Sequence, residues 1–133
     1  MPLSAPVEER GAARPRLNDG MVSLDGRVFD MVSSTASRVD PDAPTRFVYH
    51  ESDGVLWGEY TGDTVTTGRF VGTRSGDRID VRFVHALVAG GEPVTGEASS
   101  RIEQDDDGRL RLVEDFEIDG MPHVSVCAEV RPA

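Results

Sequence analysis

Two polar residues interrupt runs that are otherwise apolar at every second position. One is His85, in the set Ile79, Val81, Phe83, His85 and Leu87; the other is Glu114, in the set Leu110, Leu112, Glu114, Phe116 and Ile118. Alternate residues of a strand share a face, so each belongs to the wall of an apolar interior, where an ionisable group is costly unless hydrogen-bonded or paired. Burial raises a carboxyl pKa, a nearby cation lowers it, and histidine titrates near neutrality, so the two are suited to general acid–base work. Arg69 joins them if Val65, Thr67, Arg69 and Val71 face inward, and Glu59 joins if Val55, Trp57 and Glu59 do. The expected catalytic set is therefore His85 and Glu114, polarising or protonating a ligand, with Arg69 stabilising developing negative charge. The same residues can instead form an ion pair that fixes strand register, and the sequence leaves both readings open.

Trp57, Glu59, Tyr60, Phe83, Ser100 and Phe116 are the expected ligand-contacting residues. Aromatic rings in a concave site stack on flat molecules, although the same rings are also ordinary core material. Ser100 enters through the inward set Val94, Gly96, Ala98, Ser100 and Ile102. In the last apolar segment the expected inward set is Val124, Val126, Ala128 and Val130, while Gly26 to Ser34 does not resolve into an inner and an outer face. No histidine has a partner at metal-motif spacing, and Asp105-Asp106-Asp107-Gly108 reads as a hairpin turn, not a cation loop, so neither metal nor cofactor is expected. Cys127 has no adjacent base and is expected to be an inert thiol.

The elements that must position these residues are marked by turn signals: Ser52-Asp53-Gly54, Thr61-Gly62-Asp63, Ser75-Gly76-Asp77, Gly90-Gly91-Glu92-Pro93, Asp105 to Gly108 and Asp119-Gly120. Turns at that spacing between β-rich runs, with no long helical pattern, predict an antiparallel meander that closes into a barrel. The expected strands are 26–34, 45–51, 55–60, 64–73, 78–88, 94–104, 109–118 and 123–131, giving an all-β, eight-stranded up-and-down barrel. The longest link, Thr35 to Pro44, is expected to cross one mouth as a loop or lid. Residues 1–20, rich in Pro, Ala, Glu and Arg without a usable period, are expected to be a flexible extension, and 21–133 a single domain.

Bulk properties narrow the partners. With 133 residues and 38% hydrophobic composition there is material for one core, and the net charge of −10 opposes binding to nucleic acid or anionic lipid. All 14 basic residues are Arg, which removes lysine Schiff-base chemistry. The single Cys, and the lack of a secretory leader or a membrane-spanning apolar stretch, favour a cytoplasmic protein; the Arg-, Gly- and Val-rich, Lys-free composition suggests a bacterial coding bias.

At Asp25 to Phe29, Trp57-Gly58-Glu59-Tyr60-Thr61-Gly62, Gly68, Val81 to His85, Thr95-Gly96 and Leu110 to Glu114, the chain resembles a family of small bacterial proteins often labelled N-acetylglutamate synthase-like. The resemblance covers roughly Met21 to Val130. It implies a calycin-type barrel, like those of avidins and lipocalins, and small-molecule binding. No Gly-rich nucleotide loop stands in the chain to support acetyl-CoA chemistry. The expected function is binding of a small, largely apolar organic molecule inside the barrel, extending to cofactor-independent cyclisation or isomerisation of a secondary-metabolism type by confinement of one substrate conformer. The alternatives are a passive carrier or tolerance protein and an interaction module with a filled barrel. Homodimerisation through wall strands is compatible with any of them.

Overall fold

The computed structural model describes residues 22–36, 38–118 and 120–130, so the expected extension over 1–20 lies outside the described residues. Eight strands form: β1 (Val28–Ser34), β2 (Arg46–Ser52), β3 (Val55–Gly62), β4 (Val65–Ser75), β5 (Arg78–Leu87), β6 (Val94–Gln104), β7 (Leu110–Ile118) and β8 (Met121–Glu129). Each pairs with the next, and β8 returns antiparallel to β1, closing the barrel and leaving no sheet edge. The turn chemistry behaves as the sequence predicts. Asp53 and Gly54 link β2 to β3 with φ of 52° and 80°, the left-handed pair that matches the twist of a two-residue hairpin.

One end of the barrel is packed solid. Phe29, Leu56, Ile79 and Leu112 meet there at no more than 1% exposure, and Leu24 from the segment before β1 plugs the opening at 0%. Arg74 ties the plug down, its Nη1 donating to Glu51 Oε1 at 2.8 Å and to the Val22 carbonyl at 2.7 Å; the Leu24 amide donates to the same Glu51 oxygen at 2.8 Å. The opposite end, where β3 turns into β4 and β5 into β6, stays open.

The inner faces of β5, β6 and β7 are the sets expected from alternation, but those of β3, β4 and β8 are not. In β4 a bulge between Val65 and Thr67 inserts a residue, so Val65 faces in while Thr67, Arg69 and Val71 are thrown outward and Gly68 and Phe70 are buried. In β3 the buried residues are Leu56, Gly58 and Tyr60, leaving Val55 and Trp57 exposed and Glu59 outside. In β8, Ser125 and Cys127 are buried at 0% and 3%, while Val124 is 40% exposed. β1 carries Phe29 and Met31 inward until a bulge between Met31 and Ser33 resets its phase.

Glycine explains why the inner faces of β3 and β4 look weakly apolar in sequence. Gly58 lies opposite Phe70, Gly68 opposite Tyr60, and Gly96 of β6 opposite Phe83. In each pair the ring lies across the glycine. A Cβ at Gly58 would come within 2.5 Å of Phe70, one at Gly96 within 2.6 Å of Phe83, and one at Gly68 would overlap the Tyr60 ring. The apolar volume at a glycine is thus supplied by the neighbouring strand.

Candidate functional site

The open end leads into a cavity of about 460 Å³ between the packed floor and the mouth. Its wall carries Phe47, Tyr49, Tyr60, Phe70, Phe83 and Phe116, with Val65, Val81, Leu87 and Val94 among them. Several rings touch: Phe47 stacks on Tyr60 at 4.9 Å between centroids, and Tyr49 tilts against Phe70 at 4.7 Å. Ser34 and Thr45, which flank the link between β1 and β2, and Ala36 within it line the mouth together with Asp63 and Thr64 of the β3–β4 turn.

Two polar constellations project into this wall. Glu114 of β7 lies in register between Ser100 of β6 and Ser125 of β8. Both hydroxyls donate to it, Ser125 Oγ to Oε1 at 3.0 Å and Ser100 Oγ to Oε2 at 3.5 Å. Burial pushes the Glu114 carboxyl above the usual glutamate range, opposed by these two hydrogen bonds. Among the described ion pairs none includes Glu114. Among the described residues the alternative ion pair with His or Arg is therefore not formed, and the carboxyl is held by two neutral hydroxyls. Ser125 escapes detection by hydrophobic alternation because the polar residue of β8, not its valines, must face the buried acid.

The second constellation is Tyr60 with His85. Tyr60 OH and His85 Nδ1 are 2.8 Å apart although they stand on β3 and β5, with only Gly68 of β4 between them. The missing side chain at Gly68 lets the phenol cross the intervening strand. Burial, with the Glu114 charge as a lesser contributor, pushes the Tyr60 phenol well above its ordinary value, and burial pulls His85 below its own. The phenol and the imidazole share this hydrogen bond, with the His85 tautomer setting which of the two donates. Tyr49, Phe83 and Phe116 complete the wall between the two sites; burial, then the Glu114 charge, also raises the Tyr49 phenol.

Of the expected residues, His85, Glu114, Tyr60, Phe83 and Phe116 meet in the cavity wall, and Ser100 sits behind Glu114. Arg69, Trp57 and Glu59 do not join them. Arg69 is exposed on the outer wall, with Nη1 donating to the Gly68 carbonyl and to Thr67 Oγ1, because the β4 bulge reverses its face. Trp57, 42% exposed, stacks on His50 outside the barrel at 5.6 Å, and Glu59 meets His50 Nε2 at 3.0 Å. Cys127, which the expected inner set of β8 would turn outward, is instead buried, and burial pushes its thiol well above its ordinary value. A larger concavity of about 1070 Å³ crosses the outer wall from β4 to β8, but its charged residues, such as the pair Arg82 and Glu97, are solvated.

A family model described as "Avidin-like protein" matches residues 22–130, the whole of the barrel from plug to final strand. The chain belongs to the avidin-like family. The expected calycin-type architecture is thereby established, and the avidin-like barrel places its open cavity where such a fold is suited to hold a small molecule. Searches of the curated proteins and of the solved structures each found no match.

Proposed function

We propose that this avidin-like barrel binds a small, largely apolar organic molecule in its interior. The observation that carries the reading is Glu114: an ionisable carboxyl desolvated in an aromatic cavity, without a cation among the described residues, is costly to the fold and calls for a compensating role. The cavity volume falls in the lower half of the roughly 300–1,000 Å³ typical of small-molecule pockets, which limits the guest to a compact one. A catalytic role in cyclisation or isomerisation would rest on His85 and Glu114 alone, since Arg69 lies on the outer wall.

A thermal-shift screen against a library of compact apolar compounds tests the reading, because a ligand that binds only the folded state raises Tm by mass action. Hits must stabilise the wild type and lose their effect in Leu87→Trp, which puts an indole into the half-buried lining near the mouth. Hits that stabilise both proteins equally would overturn interior binding. Homodimerisation is part of the proposal: Trp57 and Val71, opposite each other on β3 and β4 and 42% and 57% exposed, supply outward apolar surface. Light scattering that gives only the monomer mass at high concentration would remove it.

A further inference from the structure

The charge lining the cavity is one-sided. Glu114 stands in its wall, with Asp63 and the exposed Glu117 near its rim, no described arginine lines it, and the chain has no lysine. Its only basic side chain among the described residues, His85, is driven toward the neutral form by burial. An anionic guest would meet the Glu114 carboxyl inside with no described cation to receive it. A neutral apolar guest would leave the Glu114 carboxyl without a counter-charge. A cationic guest supplies the missing counter-charge, and the aromatic wall suits it, since a cation within about 6 Å of a ring face is attracted by the ring quadrupole.

We infer that the guest is an organic cation, a quaternary ammonium or protonated amine on a compact apolar body, with its charge facing Glu114 and its body against the aromatic wall. This rests on the interior-binding reading and adds the sign of the ligand to it. The charge is held by three features acting together: the two serine hydroxyls orient the carboxylate, the surrounding rings desolvate it, and no described basic side chain pairs with it. The net charge of −10 draws cations to the molecule as a whole, so the test must separate the interior from the outer surface.

Three matched probes do so: benzyltrimethylammonium, its neutral carbon isostere neopentylbenzene, and the anion 3-phenylpropionate, titrated calorimetrically at about physiological salt to screen surface attraction. The cation is expected to bind the wild type at least about tenfold more tightly than the isostere, equivalent to about 1.4 kcal/mol. The anion should be weakest. In Glu114→Gln the cation and the isostere should fall within about threefold of each other. Methyl NMR of the wild type gives a second readout that needs no variant: the cation should shift Val65, Val81 and Val94 inside, not Val55, Val71 and Val84 outside. Equal binding of isostere and cation, or tighter binding of the anion, overturns the charge assignment and leaves interior binding intact. Shifts confined to the outer valines overturn it by placing the cation on the acidic surface. Binding of none of the three also overturns it, while interior binding is still judged by the thermal-shift screen.

Discussion

Gly68 is the residue on which the Tyr60–His85 contact depends, and Gly68→Ala is the perturbation that tests it. The backbone there is ordinary extended strand, so the added methyl causes no conformational strain; its whole cost is the collision of its Cβ with the Tyr60 ring. Overpacking of a core by one methyl costs about 1–3 kcal/mol. Displacing the ring also breaks the 2.8 Å hydrogen bond to His85 Nδ1, a net loss of about 0.5–1.5 kcal/mol. Together these predict a loss of about 1.5–4.5 kcal/mol, and at about 4 °C per kcal/mol for a domain of this length Tm should fall by about 6–18 °C. Thermal unfolding followed by circular dichroism measures it. Repeating the substitution in a Tyr60→Leu background isolates the cause: with the ring gone, Gly68→Ala should cost under about 1 kcal/mol, a coupling well outside the additivity of independent sites. A loss below about 0.5 kcal/mol in the wild type, or the same loss in both backgrounds, would refute the reasoning.

Three further substitutions bear on other parts of the structure. Folding raises the pKa of Glu114, so its contribution to stability is greatest below the ordinary glutamate value of about 4.3 and is lost as pH rises through the folded value. Glu114→Gln should therefore gain stability relative to the wild type between acidic and neutral pH; denaturant melts at a series of pH values that run parallel for the two proteins would contradict this. Arg74→Met leaves Glu51 desolvated and releases the Leu24 plug, and should cost about 3–5 kcal/mol by urea denaturation. Arg69→Ala, on the outer wall, should leave both Tm and ligand-induced stabilisation within error; a loss of ligand effect without a loss of Tm would return Arg69 to the site.

What the sequence reveals and what it hides can be traced to particular residues. The turns at Asp53-Gly54 and Asp105 to Gly108 announce the hairpins, and unbroken alternation in β5 and β7 is enough to place His85 and Glu114 on the inner wall. Alternation fails where the backbone breaks its own period. The bulge at Val65/Thr67 reverses every later residue of β4, and nothing in the local residue types marks it. It fails again where an interior position holds a glycine filled by another strand's ring, as at Gly58, Gly68 and Gly96. A usable signal was present there: Gly58 and Tyr60, and Gly68, Phe70 and Gly72, also recur at period two, and glycine alternating with aromatics marks an inner face when strands pair in register. Ser125 needed the β7–β8 register, because only opposite Glu114 does a serine outrank the neighbouring valines as the residue that faces in.

The central claim is that the barrel interior is a binding site, and native mass spectrometry tests it most directly. Wild type and Leu87→Trp are each incubated with the small-molecule fraction of a cell extract and sprayed under non-denaturing conditions. The account predicts one small-molecule adduct per barrel on the wild type, released on unfolding and missing from Leu87→Trp. The bare chain mass for the wild type, or the same adduct on both proteins, would contradict it.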